Sequence, residues 1–298
     1  MIRTLLLASL FTTTACIETD DTDTDDTNTE AAPGVPYVIN NHERTYEHSG
    51  NHSTWWRSPT AYCSPGNVLF GQGYDQPYDP RILFRGLIPI QGAGQYPTAA
   101  QAAAQEDLHG TPENWLMTSY AICGRAMPSQ QLVNYTSAYN SSASRNATVS
   151  CPGTLRVIGA GGTIHYGDGR VKVDEIRPNE SLTQVTVYAS EDSDGTTGSW
   201  EVEAYAICAS PPAGLVRVTA SAYRGWDGTL VTATCPGEKK LLGAGGGIDT
   251  ATRTLFRLLR IMPSADLKSV TVRATSKFTG TFPLDPGEVK AYAICADG

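Results

Sequence analysis

The sequence has no apolar run approaching the roughly 18 residues of a membrane-spanning helix, so a bundle of such helices is excluded. It has no basic excess either. Its 22 Lys and Arg stand against 30 Asp and Glu, a net charge of −8 that argues against nucleic acid as a partner. Cys-x-x-Cys pairs and Cys/His clusters are absent, which removes the usual zinc frameworks. Histidine is scarce, with five in 298 residues. Helical periodicity is almost missing, and only the Ala-rich stretch 97–108 reads as a helix. What is present, 40% hydrophobic residues over 298 positions, is too apolar for general disorder and long enough for a substantial core.

Residues 1–15 run from a basic start, Met1-Ile2-Arg3, through the apolar stretch Leu5 to Phe11 to three threonines and Ala15, the pattern of a secretory leader. Cys16 follows directly. A cysteine after a small residue at the end of such a leader resembles the lipobox of bacterial lipoproteins, although Thr13 stands where that family usually has Leu. The resemblance implies cleavage before Cys16, acylation of its thiol and a membrane partner reached through that lipid. Ile17 is not the Asp that retains such proteins at the inner membrane in enteric bacteria, so the expected location is the outer membrane, facing either way.

A tether occupies residues 16–35. Glu18, Asp20, Asp21, Asp23, Asp25, Asp26 and Glu30 place seven like charges in a short polar stretch, which repels itself into an extended spacer. A calcium loop would need a Gly turn and a bidentate Glu at fixed offsets, and neither is there. Without the leader's Arg3 and these seven acids, 21 basic and 23 acidic side chains remain, so the rest of the chain is near −2. The acidity belongs to the tether.

The strongest signal is an internal repeat. Ser119-Tyr-Ala-Ile-Cys123, Ala204-Tyr-Ala-Ile-Cys208 and Ala291-Tyr-Ala-Ile-Cys295 close three units that open on Cys63-Ser-Pro-Gly66, Cys151-Pro-Gly153 and Cys235-Pro-Gly237. Eight residues after each first cysteine stands a glycine, Gly71, Gly159 or Gly243, with another two later at Gly73, Gly161 and Gly245. Pro89, Pro178 and Pro263 come next. Units two and three then share Leu182-Thr-Gln-Val-Thr-Val187 and Leu267-Lys-Ser-Val-Thr-Val272, which the first unit lacks. With the openings Tyr37-Val-Ile-Asn, Leu132-Val-Asn-Tyr and Leu215-Val-Arg-Val, the units run 36–130, 131–213 and 214–298.

Six cysteines remain once Cys16 is set aside, two per unit. An even count in an exported chain implies disulfides. Of fifteen formal pairings, the repeat makes Cys63 with Cys123, Cys151 with Cys208 and Cys235 with Cys295 the economical set. Each would destabilise the unfolded chain by about 4 kcal/mol in a purely entropic account.

Trp200, Val202, Ala204, Ala206 and Cys208 alternate with Glu201, Glu203, Tyr205 and Ile207, the period of a strand that enters from solvent and ends buried on both faces. Similar segments give five or six strands per unit. The fold expected is all-β, with three homologous antiparallel repeats arranged either as a pseudo-threefold β-prism or as tandem β-sandwiches. The cysteine, proline and glycine opening, the Gly-x-Gly step and the apolar strand ending in Cys resemble the β-prism of the vitelline membrane outer layer family. Over 61–298 the repeat also resembles one scattered through exported bacterial proteins without an agreed activity, which brings no catalytic residues to transfer.

Chemistry is harder to find. His42, His48 and His52 lie near Glu43 and Glu47 but fit no ligand spacing and read as exposed polar residues, with no metal implied. His165, near Asp168, reads as a loop histidine because Asp249 replaces it in unit three. The Gly-rich steps lack the helix and Lys of a phosphate cradle and read instead as bulges or sites of close backbone approach. Trp115 and Trp200, each eight residues before a closing cysteine, read as core. Trp55, Trp56, Tyr223 and Trp226 remain as candidate ligand-facing rings, since flat aromatic faces stack on sugars. The leading expectation is a non-enzymatic, cofactor-free lipoprotein that binds a glycan or a protein partner. The alternatives are a polysaccharide hydrolase, for which the adjacent Asp174 and Glu175 would have to share a cleft, and a purely structural envelope component.

Overall fold

Alternation broken every few residues by Gly, Pro, Asn or Asp cannot hold a helix but does hold short strands. The computed structural model describes residues 39–52, 55–223, 228–249, 253–276 and 287–298. The first repeat forms β1 (Glu43–His48), β2 (Trp56–Arg57), β3 (Thr60–Tyr62), β4 (Val68–Asp75), β5 (Ile82–Gln91), β6 (Pro97–Glu106) and β7 (Thr118–Gly124). The second forms β8 (Gln131–Thr136), β9 (Ser144–Ser150), β10 (Arg156–Tyr166), β11 (Val171–Pro178), β12 (Gln184–Glu191) and β13 (Trp200–Ala209). The third forms β14 (Val216–Tyr223), β15 (Thr229–Thr234), β16 (Lys240–Asp249), β17 (Phe256–Pro263), β18 (Ser269–Ser276) and β19 (Glu288–Ala296), with one 3-10 turn at Arg253–Leu255.

Three antiparallel sheets result. The first runs β1-β7-β4-β17-β18-β15, the second β2-β6-β5-β10-β13-β8 with β3 also on β6, and the third β14-β19-β16-β11-β12-β9. Each repeat therefore divides its strands between two sheets, and each sheet takes its strands from two repeats, three from each except in the second sheet, where the first repeat supplies four. This cyclic exchange gives the pseudo-threefold arrangement. Tandem sandwiches are ruled out, because there every unit would complete its own sheets. The halves join through short ladders, with Tyr74 and Asp75 on Ile261 and Arg260, Gly162 and Thr163 on Leu87 and Gly86, and Gly246 and Gly247 on Ile176 and Glu175.

The glycine step explains why the repeats can interleave. Register shifts at Phe70, Ile158 and Leu242 make each a bulge immediately before Gly71, Gly159 and Gly243. There β4, β10 and β16 meet backbone to backbone. A Cβ on Gly159 would lie 1.9 Å from the Phe70 carbonyl oxygen, one on Gly71 2.4 Å from that of Leu242, and one on Gly243 2.3 Å from that of Ile158. The three contacts close a ring around one axis. Phe70, Ile158 and Leu242 fill its end with Leu69, Ile207 and Ala296 in an apolar cluster. Two residues on, Gly73 and Gly245 pack against the carbonyls of Ile261 and Ile176 and the rings of Pro263 and Pro178, so the repeated proline touches the neighbouring repeat's glycine. Cross-strand register sets the motif tyrosines opposite the glycines of this step, Tyr120 on Gly73, Tyr205 on Gly161 and Tyr292 on Gly245.

The disulfides are Cys63–Cys123, Cys151–Cys208 and Cys235–Cys295, each with Cα atoms 5.7 Å apart. Every one spans two sheets. Cys63 follows β3 of the second sheet and Cys123 lies on β7 of the first; the other two bridges join the third sheet to the second and the first to the third.

One local expectation is corrected. The Ala-rich stretch is no helix, because Pro97–Glu106 forms β6 between β5 and the β2 and β3 edge. Ala99, Ala100, Ala102, Ala103 and Ala104 are all buried. The helix preference of alanine, under about 1 kcal/mol per residue, loses to ladders on both sides. This strand is the first repeat's counterpart of β12 and β18, so no segment is missing. Of the first repeat's opening, Tyr37 and Val38 lie outside the described residues, and the first described strand is Glu43–His48. Register sets Arg44, Leu132 and Arg217 in equivalent places opposite Ile122, Ile207 and Ile294.

Packing at the axis predicts that Gly159→Ala destabilises the protein by at least about 3 kcal/mol in chemical denaturation. Gly94→Ala, whose Cβ would meet nothing within 4 Å, should stay within about 0.5 kcal/mol. Equal tolerance of both would contradict the close approach.

Candidate functional site

At the end of the sheets opposite the disulfides, the chain builds a buried polar framework. The Trp115 indole N–H donates to Glu106 Oε1 at 2.9 Å and that of Trp200 to Glu191 Oε1 at 3.4 Å. The second oxygens of the same carboxylates accept the N–H groups of Thr111 and Thr196 at 3.3 and 3.1 Å. Arg57 and Arg145 lie over the two indole rings at 5.2 and 4.2 Å. Both tryptophans are core, as expected. Next to each glutamate is a buried aspartate, Asp107 or Asp192, whose Oδ1 accepts a backbone N–H two residues on, from His109 at 3.0 Å or Asp194 at 2.9 Å.

Buried cations balance these acids, Arg257 from another repeat and Lys172 from the same one. Arg257 Nη2 faces Asp192 at 3.8 Å; burial lowers the Arg257 pKa while Asp192, Asp174, Asp107 and Asp194 act to raise it. Lys172 donates to Asp174 and to Ser190 Oγ. Glu175, beside Asp174 at a bulge, instead accepts the Tyr292 hydroxyl at 2.7 Å and pairs with Arg177 at 3.7 Å. The two carboxylates thus serve separate buried pairs and share no cleft.

The exposed aromatics lie along the same end of the second sheet. Trp55 and Trp56, 46% and 44% exposed, stand at its β2 edge. The Trp55 carbonyl accepts the Glu106 N–H at 3.0 Å. With the Gln105 amide oriented to satisfy its neighbours, its oxygen accepts both the Trp55 indole N–H at 2.7 Å and the Gly169 N–H at 3.0 Å. Trp55 is therefore half anchor and half surface.

The turn it touches is unusual. Tyr166, Gly167, Asp168 and Gly169 have successive φ values of 67°, 84°, 33° and 70°, and two of these residues carry side chains. Such strain persists only where surroundings over-determine it. Here the buried Arg85 does so, donating to the carbonyls of Ile164 (3.3 Å), Tyr166 and Val171 (3.0 Å) on both sides of the turn. Burial pushes the Arg85 pKa down to about 10 against the pull of Asp168, so it stays charged at neutral pH. The result is that Tyr166 is held 62% exposed, its ring 5.2 Å edge-on from that of Tyr139, which is 58% exposed. From β2 to β8 the rim crosses five strand steps, roughly 24 Å.

The other sequence candidates scatter. Tyr223 is exposed but ends β14, on the third sheet and away from Trp55 and Trp56, so the four proposed rings do not form one site. Trp226 lies outside the described residues, as does Cys16. His165 is not in a loop but on β10, its Nε2 2.8 Å from Glu203 Oε2. Despite burial, hydrogen bonds from Tyr205, His165 and Asn134 hold Glu203 below the usual carboxylate range. The third repeat places Asp249 and Lys290 there, 2.7 Å apart, an ion pair of inverted polarity that marks the position as structural. His48 and His52 are exposed, but His42 is half-buried and burial pushes its pKa down to about 4. No group of three His, Cys, Asp or Glu residues among the described residues could hold a metal.

Sequence reasoning missed Tyr139 and Tyr166, whose role depends on a backbone conformation. It also missed the recurring Glu-Asp-x-x-Gly-Thr-x-x-x-Trp of 106–115 and 191–200, which self-comparison could have found. The three disulfides in an all-β domain suggest an extracellular or envelope environment. No helix among the described residues is long and apolar enough to cross a membrane. No protein-family model matches the chain, and no curated protein is significantly similar to it.

Proposed function

We propose that this chain is an exported, non-enzymatic lipoprotein, anchored through Cys16 in the outer membrane, whose acidic tether carries a disulfide-stapled β-domain that binds a glycan. One observation carries the binding reading: the aromatic rim of the second sheet, where a strained turn pinned by Arg85 keeps Tyr166 exposed beside Tyr139, with the Trp55 ring against the same turn at Gly169. Rings held open to water at a conformational cost suit stacking on sugar faces, which present CH groups to the aromatic surface. The length of the rim suits a polymer more than a single sugar. The engagement of Asp174 and Glu175 in separate buried pairs favours binding over hydrolysis.

On a glycan array, the full-length protein should retain a defined set of neutral polysaccharides. Tyr166→Ala and Trp56→Ala should each lose at least about tenfold in affinity with thermal stability kept, while Tyr223→Ala should not. Blank arrays, or binding indifferent to the rim variants, would refute the reading and favour a structural envelope role.

The anchor is tested separately. Radiolabelled palmitate should be incorporated by the wild-type chain in a bacterial host and not by Cys16→Ser; label in both, or in neither, would remove the lipid from the account.

A further inference from the structure

The outer face of the first sheet carries a cleft of about 370 Å³ that the aromatic rim does not use. Its floor is a cross-strand row. Register sets Thr118 of β7 beside Asp75 of β4, Asp75 beside Arg260 of β17, and Arg260 beside Arg273 of β18. One wall is the loop Gln76 to Tyr78, and the other holds Asn114 and the exposed Leu116.

Two groups in this cleft are left unanswered by the described residues. Asp75 and Arg260 satisfy each other through a two-point contact of 2.7 and 2.8 Å. Arg273 does not share in it. Its guanidinium lies 5.0 Å over the half-exposed Tyr78 ring, no carboxylate among the described residues pairs with it, and its Nε has no hydrogen-bond partner among them. The second group is Gln76, 6% exposed. Its Nε2 donates to the Ile82 carbonyl at 3.1 Å, while its Oε1 is buried with no partner among the described residues.

These two needs define a ligand. Arg273 requires an anionic acceptor, and Gln76 Oε1 requires a hydroxyl or amide donor, which a fully ionised sulfate or phosphate lacks. Asn114 adds an amide, and Leu116 and the Tyr78 edge add apolar surface. We propose that this cleft binds a carboxylate-bearing sugar unit, with the carboxylate on Arg273, a ring hydroxyl donating to Gln76 Oε1, and the ring face against Leu116. The cleft and the rim lie on different sheets, so this reading stands apart from the one above.

Calorimetric titration of the full-length protein with trigalacturonate, and with the neutral galactose trimer as comparator, tests it. Galacturonate should bind saturably, weaken as salt rises, and exceed the neutral trimer by at least about tenfold, the value of one charge-assisted hydrogen bond. Arg273→Gln should abolish that preference. Leu116→Glu, a change at an exposed position that sets a repelling carboxylate at the mouth, should do the same even if Arg273→Gln fails to fold. Tyr223→Ala, an exposed change on the third sheet, should leave galacturonate binding unchanged. No saturable binding, equal affinity for the neutral trimer, unchanged affinity in Leu116→Glu, or loss in Tyr223→Ala would each overturn the proposal.

Discussion

Where β4, β10 and β16 meet, peptide groups of three different repeats approach so closely that no side chain fits between them at Gly71, Gly159 and Gly243. This contact sets the rest of the architecture. Once the three strands converge, each can complete its sheet only by pairing with the following strand of another repeat, as Asp75 does with Arg260, Thr163 with Gly86 and Gly247 with Glu175. The bulges at Phe70, Ile158 and Leu242 turn the strands into the axis and leave three large apolar side chains to close its end.

Two kinds of bond then divide the work. Hydrogen bonds join different repeats within one sheet, whereas each disulfide joins one repeat across two sheets. Together they leave no element that can separate without breaking one or the other. Three such bridges suggest an extracellular or envelope environment, since reduction would open all three corners at once. At the opposite end, buried Asp107, Asp174 and Asp192 with Lys172, Arg257 and Arg85 fix the loops in place of a hydrophobic plug. Breaking such a network by removing one partner is costly, and that rigidity lets the neighbouring surface hold Tyr166 in a strained conformation.

What could be read from the sequence was whatever repeats locally. Cysteine pairing, the glycine step, the strand pattern of 200–208 and the burial of Trp115 and Trp200 depend on spacing that recurs in each copy. The β6 strand was hidden because five buried alanines carry helix propensity and no alternation, and only the flanking strands decide their conformation. The prism could not be told from tandem sandwiches because both satisfy the same periodicity, and the difference lies in which repeat each strand pairs with. The cleft was invisible for a similar reason: Thr118, Asp75, Arg260 and Arg273 become neighbours only through cross-strand register. Of the rim, Trp55 and Trp56 were legible as lone aromatics, while Tyr166 depends on a left-handed turn that non-glycine residues rarely adopt.

Interleaving is the claim on which the sites rest, since the rim runs from first-repeat to second-repeat strands and the cleft from first-repeat to third-repeat strands. Amide hydrogen exchange on the isolated second repeat, residues 131–213 with Cys151 and Cys208 bridged, tests it most directly. Lacking β5 and β16 to pair against and β4 to pack on, that fragment should show exchange close to an unfolded chain and no cooperative transition, despite its intact disulfide. Protected amides along β10 and β13 with a cooperative melt would mean that a repeat closes its own sheets, and the exchange of strands around one axis would be wrong.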